Sequence, residues 1–272
     1  MLPNLIVAGV QRGGSTWLHR SLALQPEIFM SERKEINFFV APNGDLAEYE
    51  SHFESAGTAR YRGESTPGYF SAAGARPVAE RIRAALGPEV KIIVSFRHPV
   101  QRAISAYLHH WRKGRLKGDE KLSDVAERHG IEAFGHYREH TRGWLSAFPR
   151  DNFIFTSLDE IESNPDECLR NICRALGFDW SGVRGMNKAQ NAGNALKVVS
   201  GTMTIDLDHP ANRMLKARAM PAMREDFVLP TIAEECIRAL EAKFVEDIAY
   251  VEEELLGRDL RWQGVKPLTF YT

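Results

Sequence analysis

Residues 9 to 16 read Gly-Val-Gln-Arg-Gly-Gly-Ser-Thr and follow directly on the apolar run Leu5-Ile6-Val7-Ala8. A glycine-rich turn between a buried strand and a helix offers backbone N–H groups and a helix N-terminus to an anion. Gly13 and Gly14 let the backbone come close to such a group. Ser15 and Thr16 add hydroxyl donors, and Arg12 sets a cation inside the loop. A plain tight turn needs none of these extras. Gly9 and Gly14 have the spacing of G-x-x-x-x-G-K-[ST], but Ser15 stands at the lysine position. A second apolar run, Ile92-Ile93-Val94-Ser95-Phe96, ends in Arg97, where metal-dependent phosphoryl transfer would place an Asp for Mg²⁺. A guanidinium there repels a metal and suits a second anionic group. The pattern therefore fits a ligand with two separate anionic ends and lacks the machinery for γ-phosphoryl transfer.

Lys34-Glu35 pairs an ammonium with a carboxylate. Glu35 can take a proton as a general base, or it can be a surface carboxylate paired with its neighbour. Lys188, in Asn187-Lys188-Ala189-Gln190-Asn191, reads as part of a loop closing over a nucleotide or as a solvated lysine. His98, His109 and His110 have no ligand spacing, so no metal is expected. The basic stretch Trp111-Arg112-Lys113-Gly114-Arg115-Leu116-Lys117 reads as a solvated loop before a steering patch for an anionic acceptor.

These residues need elements to hold them. Leu5 to Ala8, Tyr61 to Glu64, Lys91 to Phe96 and Phe153 to Phe155 read as strands. Helical spacing follows the first glycine loop and Pro99, and it spans Val78 to Leu86. Asn164-Pro165-Asp166-Glu167 is a helix start, with a capping Asn, Pro at the first position and acids in the first turn. Residues 181–230 read as long loops around short helices, and Ile232 to Leu255 as one long amphipathic helix ending near Gly257. Alternating strands and helices predict an α/β fold with a central parallel sheet in three α/β/α layers. No repeat or linker divides the chain, so residues 1–272 are expected to form a single domain.

The 272 residues carry 35 Lys and Arg against 36 Asp and Glu, a net charge of −1. No bulk field recommends nucleic acid or an anionic membrane, so any anion site must be built locally. No apolar run approaches the ~20 residues of a membrane span. Cys168, Cys173 and Cys236 lie in helical patterns without metal spacing and read as reduced thiols of a cytoplasmic protein. Oligomeric state leaves no mark on the sequence.

Four ordered motifs now carry a resemblance. Gly9 to Leu18 (G-V-Q-R-G-G-S-T-W-L) resembles the 5′-phosphosulfate loop of sulfotransferases that use 3′-phosphoadenosine 5′-phosphosulfate (PAPS). Phe96 to Tyr107 (F-R-H-P-V-Q-R-A-I-S-A-Y) is similar to their 3′-phosphate motif, which implies that Arg97 and Ser105 bind that phosphate. Lys34 to Phe39 (K-E-I-N-F-F) is similar to the K-E-x-H/N-F-F stretch of the heparan sulfate branch, which implies that Glu35 is the catalytic base. Glu64 to Phe70 (E-S-T-P-G-Y-F) resembles the E-K-[ST]-P-x-Y-F segment of the same branch. Further likeness lies in Trp144 with Phe148-Pro149-Arg150, and in Leu255 to Leu260. The chain departs from the family at Arg12 and Ser65, where lysines are usual.

The resemblance implies a P-loop-type fold. It also implies transfer of a sulfonate group from PAPS to a hydroxyl or amine of a small-molecule, lipid or saccharide acceptor, releasing 3′,5′-ADP without a metal. Arg12, Gly13, Gly14, Ser15, Thr16 and Trp17 would hold the donor's 5′ end, with Lys34 as a helper to Arg12. Trp17, Phe38, Phe39 and Tyr69 otherwise read as core or cleft walls. The rival readings are a nucleotide or small-molecule kinase on the same fold and a nucleotide-binding protein without activity.

Overall fold

The computed structural model describes residues 1–41, 44–116, 120–182, 196–199, 202–205, 231–260 and 262. In chain order the elements are β1 (Leu5–Gly9), α1 (Ser15–Leu22), β2 (Ile28–Met30), α2 (Leu46–Ser51), β3 (Tyr61–Ser65), α3 (Arg76–Leu86), β4 (Lys91–Phe96) and α4 (Pro99–Arg112). There follow α5 (Leu122–Val125), α6 (Tyr137–Leu145), β5 (Phe153–Ser157), α7 (Leu158–Ser163), α8 (Pro165–Ala175), β6 (Leu196–Val199), β7 (Thr202–Ile205), β8 (Thr231–Ala233) and α9 (Glu234–Ala249). By its contacts the chain falls into two compact units, residues 1–97 with 137–190 and residues 98–136 with 191–272.

The first unit is the expected parallel α/β fold. Five strands pair in the order β2-β3-β1-β4-β5, every pair parallel. Leu5, Ile6, Val7 and Ala8 are all 0% exposed, as a central strand covered on both faces requires. One face packs Leu5, Val7, Ile93 and Ile154 against Trp17 and Leu18 of α1 and Leu169 and Ile172 of α8. On the other, α3 and α6 pack together, and Trp144 meets Phe153 with ring centroids 6.3 Å apart. Those are the three layers. The α8 cap forms as expected, the Asn164 side chain accepting from the Glu167 N–H at 3.2 Å. Ser157 and Glu160 form a reciprocal capping box at α7, a helix the sequence reading did not separate.

Within the second unit α9 packs on α4, and Phe244 and Val125 are fully buried. Two expectations fail here. Residues 196–199 and 202–205 are antiparallel strands rather than loop or helix. Leu-Lys-Val-Val and Thr-Met-Thr-Ile, broken by Ser200-Gly201, carry the β-branched content of a hairpin. Ile232 belongs to β8, paired with Met203, so the final helix begins only at Glu234. It ends in a π-helical stretch over Tyr250–Leu256, with Gly257 left-handed at φ 61°.

Candidate functional site

The C-terminal ends of β1, β3 and β4 lie on one edge of the parallel sheet, the edge where open α/β sheets bind ligands. After Gly9 the chain turns through Arg12 at φ 71° and Gly14 at φ 93° into α1. Glycine is required at position 13 by space: a Cβ there would stand 2.3 Å from the Ser95 carbonyl oxygen. β4 stitches the loop down, the Val10 N–H donating to the Ser95 carbonyl at 3.0 Å and the Ser95 hydroxyl to the Gly13 carbonyl at 2.6 Å. Ser95 is fully buried, and the sequence reading gave it only as a strand residue ahead of Arg97. Gly14 at the N-cap brings no side-chain cap. The first-turn N–H groups of a helix have no intrahelical partner, so this end suits an anion.

Arg97 meets the same loop. Its Nη1 donates to the Arg12 carbonyl at 3.3 Å, and its own carbonyl accepts from the Tyr137 hydroxyl at 2.7 Å. Tyr137 is fully buried and packs against Phe96, ring centroids 5.2 Å apart. The glycine loop and the guanidinium, read from separate motifs, are neighbours on one sheet edge. Ser65 lies beside them at the end of β3, its hydroxyl reaching the Ser15 carbonyl at 3.5 Å. The position at which the resemblance led one to expect a lysine thus adjoins the loop.

Lys34 and Glu35 stand in the segment after β2. Lys34 Nζ lies 3.3 Å from Glu35 Oε1, and the carboxylate is exposed. The Asn37 side chain donates to the Glu35 carbonyl at 3.2 Å, with Asn37 left-handed at φ 62°, a conformation that Asn tolerates. Arg81 of α3 clamps the far end of the segment, donating to the Phe39 carbonyl at 2.9 and 2.8 Å.

Glu64 is the group that sequence reasoning quoted without a role. Its carboxylate is fully buried and receives three hydroxyls: Tyr49 and Tyr69 at 2.9 Å on Oε1, and Thr66 at 2.7 Å on Oε2. Burial pushes its pKa up, the three hydroxyls pull it down, and the charge of Glu35 pushes it up again. Burial and the Glu64 charge also raise Tyr49 and Tyr69. The signal was present in the spacing, because Glu64, Thr66 and Tyr69 fall within one motif at a strand end.

His19 of α1 was also missed. Its buried ring hydrogen-bonds the Ser31 backbone, and burial, with Lys34 and Arg20 nearby, pushes its pKa down to about 4. Trp17 is in the core, as the alternative reading for it expected. Ser105 lies in α4, half-buried, in the second unit. Lys188 lies outside the described residues. Among the described residues no group of three His, Cys, Asp or Glu side chains can hold a metal ion, and no helix is long and apolar enough to cross a membrane.

Known proteins resemble this chain in sequence and in fold. The human heparan sulfate glucosamine 3-O-sulfotransferase 6 is 31% identical over 172 residues, 60% of this chain and 48% of that protein. The Caenorhabditis elegans bifunctional heparan sulfate N-deacetylase/N-sulfotransferase 1 is 28% identical over 193 residues, 64% of this chain and 22% of that one. The chain thus spans about half or less of these relatives. A sulfotransferase crystal structure from Alicyclobacillus acidocaldarius superposes with a TM-score of 0.68 at 23% identity, covering 97% of this chain and 99% of that one, and so shares the fold. The sulfotransferase domain matches residues 2–192, a stretch that holds the glycine loop, Glu35, Glu64 and Arg97. By that match, the chain belongs to the sulfotransferase domain family.

Proposed function

We propose that this protein transfers a sulfonate group from PAPS to a hydroxyl or amine of an acceptor, releasing 3′,5′-ADP. The observation that carries the reading is the Arg97 guanidinium 3.3 Å from the carbonyl of Arg12 in the glycine loop. Two anion sites on one sheet edge suit a nucleotide with a phosphate at 3′ and a phosphosulfate at 5′. The close approach at Gly13 and the uncapped start of α1 also fit such a group. When bound, PAPS supplies an activated sulfuryl group with a good leaving group.

The rest belongs to the chain. Arg12 and the N–H groups of Gly13 to Thr16 neutralise charge growing on the bridging oxygen, with Lys34 assisting. Arg97 holds the 3′-phosphate, and Ser105 joins it by resemblance alone. The Glu35 carboxylate takes the acceptor's proton, a role that contributes ~10²–10⁴-fold. Its exposure keeps it within reach of an acceptor. Acceptor candidates are small molecules, lipids and saccharides. The saccharide class draws support from relatives named for heparan sulfate. The sparse cysteines, with Cys168 and Cys173 buried and Cys236 half-buried, suit thiols of a reducing, cytoplasmic setting.

Calorimetry with 3′,5′-ADP, ATP and AMP tests the donor. Micromolar affinity for the bisphosphate and much weaker binding of the other two is expected; preference for ATP overturns the reading in favour of a kinase. Glu35→Gln is expected to lower turnover ~10²-fold with 3′,5′-ADP affinity unchanged. Full turnover in that variant removes Glu35 from the mechanism.

A further inference from the structure

We infer that Glu64 is a positioning residue for Glu35, acting from the buried interior through two hydroxyl relays onto the backbone that carries the base. This rests on the reading of Glu35 as the proton acceptor. Each oxygen of the Glu64 carboxylate starts one relay. From Oε2, Thr66 donates at 2.7 Å and its oxygen accepts from the Asn37 N–H at 3.2 Å. From Oε1, Tyr69 donates at 2.9 Å and its oxygen accepts from the Phe39 N–H at 3.2 Å. The first relay continues one step further, because the Asn37 side chain donates to the Glu35 carbonyl at 3.2 Å.

A buried carboxylate with no partner would be costly. This one is satisfied entirely by hydroxyls, and two of the three pass the contact on to amides two residues apart. Hydrogen bonds linked in this way polarise one another, so each relay is stiffer than its separate bonds. A segment without regular secondary structure thereby acquires a fixed address, and an exposed side chain upon it acquires a fixed origin. The third hydroxyl, from Tyr49, ends on Glu64 without reaching the segment's backbone through it and serves as an internal control.

The experiment combines amide hydrogen exchange with turnover in the full-length chain. Turnover is followed as 3′,5′-ADP release from PAPS, with 4-nitrophenol and with water as acceptor. In Glu64→Gln, exchange at Asn37 and Phe39 is expected to accelerate at least ~10-fold while the glycine loop keeps its protection. Turnover is expected to fall ~10–100-fold, with the KM for PAPS held within about twofold, because orientation rather than donor binding is lost. In a Glu35→Gln background the same substitution is expected to cost less than about twofold, since a positioner has nothing left to position.

Unchanged exchange at residues 37 and 39 overturns the inference. So does an equal turnover loss in both backgrounds, which marks a general structural defect. Full turnover in Glu35→Gln alone defeats the reading of the base, while the exchange result still judges the relays. Should Glu64→Gln not fold, Thr66→Val and Tyr69→Phe each cut one relay. They are expected to loosen Asn37 and Phe39 respectively, and equal loosening of Phe39 by Tyr49→Phe overturns the second relay.

Discussion

The glycine loop and the segment bearing Glu35 flank one edge of the sheet, yet they are fixed by opposite means. The loop is held chiefly by backbone: glycines at 13 and 14, a carbonyl oxygen 2.3 Å from where a Cβ would be, and the Val10 main-chain bond to β4, with one hydroxyl, that of Ser95, beside it. The Glu35 segment is held by side chains from elsewhere, through Thr66, Tyr69 and Arg81. A backbone-built site tolerates little substitution but grips whatever shape it was made for. A side-chain-built site can be retuned one hydroxyl at a time. The division matches the chemistry proposed, an invariant donor on one side and a variable acceptor on the other.

Substitutions can break this contrast. Gly13→Ala forces the loop away from Ser95; overpacking of this kind costs ~1–3 kcal/mol, and with the loop displaced 3′,5′-ADP affinity is expected to fall ~100-fold by calorimetry. Affinity within threefold of the parent would show that the loop is not backbone-limited. Arg97→Ala is expected to lower the same affinity ~10–30-fold, as loss of a charge-assisted contact does, and Arg97→Lys to recover only part of it, because the fork is gone.

His19 joins the two regions, standing on α1 and bonding to Ser31. Its pKa falls from 6.5 to about 4 on folding, so the unfolded chain takes up the proton first. Stability from this group is present above pH 6.5 and drains away as pH falls toward 4. Between pH 7 and 5 the loss is expected to be ~1–2 kcal/mol, and urea melts of His19→Asn should be flatter over that interval. The mildest change is Ser95→Ala, which deletes the hydroxyl on the Gly13 carbonyl and is expected to weaken 3′,5′-ADP binding by no more than ~fivefold.

How legible each region was follows from the same contrast. Gly9 to Thr16 and Arg97 could be located from sequence because turn glycines and strand ends are local signals, decided by neighbours within a few residues. Three-residue β2 was too short to show a period. The pair β6 and β7 was hidden by the Gly, Asn and Pro around it, and Ile232 was drawn into a helical pattern that its neighbours, but not its own pairing, support. Glu64 was visible as part of a motif, but its job was not. That depends on Tyr49, fifteen residues away, and on the amides of Asn37 and Phe39, reached only once β3 lies beside the segment after β2.

Tyr137 adds a further consequence. The first unit loses the chain after Arg97 and regains it at Tyr137, and those two residues share the 2.7 Å bond from hydroxyl to carbonyl. The excursion through residues 98–136 therefore leaves and comes back at a single knot. Insertions or deletions inside that detour can accumulate without dragging on the strand end that carries the guanidinium. A lineage could thus vary the length of this stretch beyond α4 while the strand end that carries the guanidinium keeps its anchor.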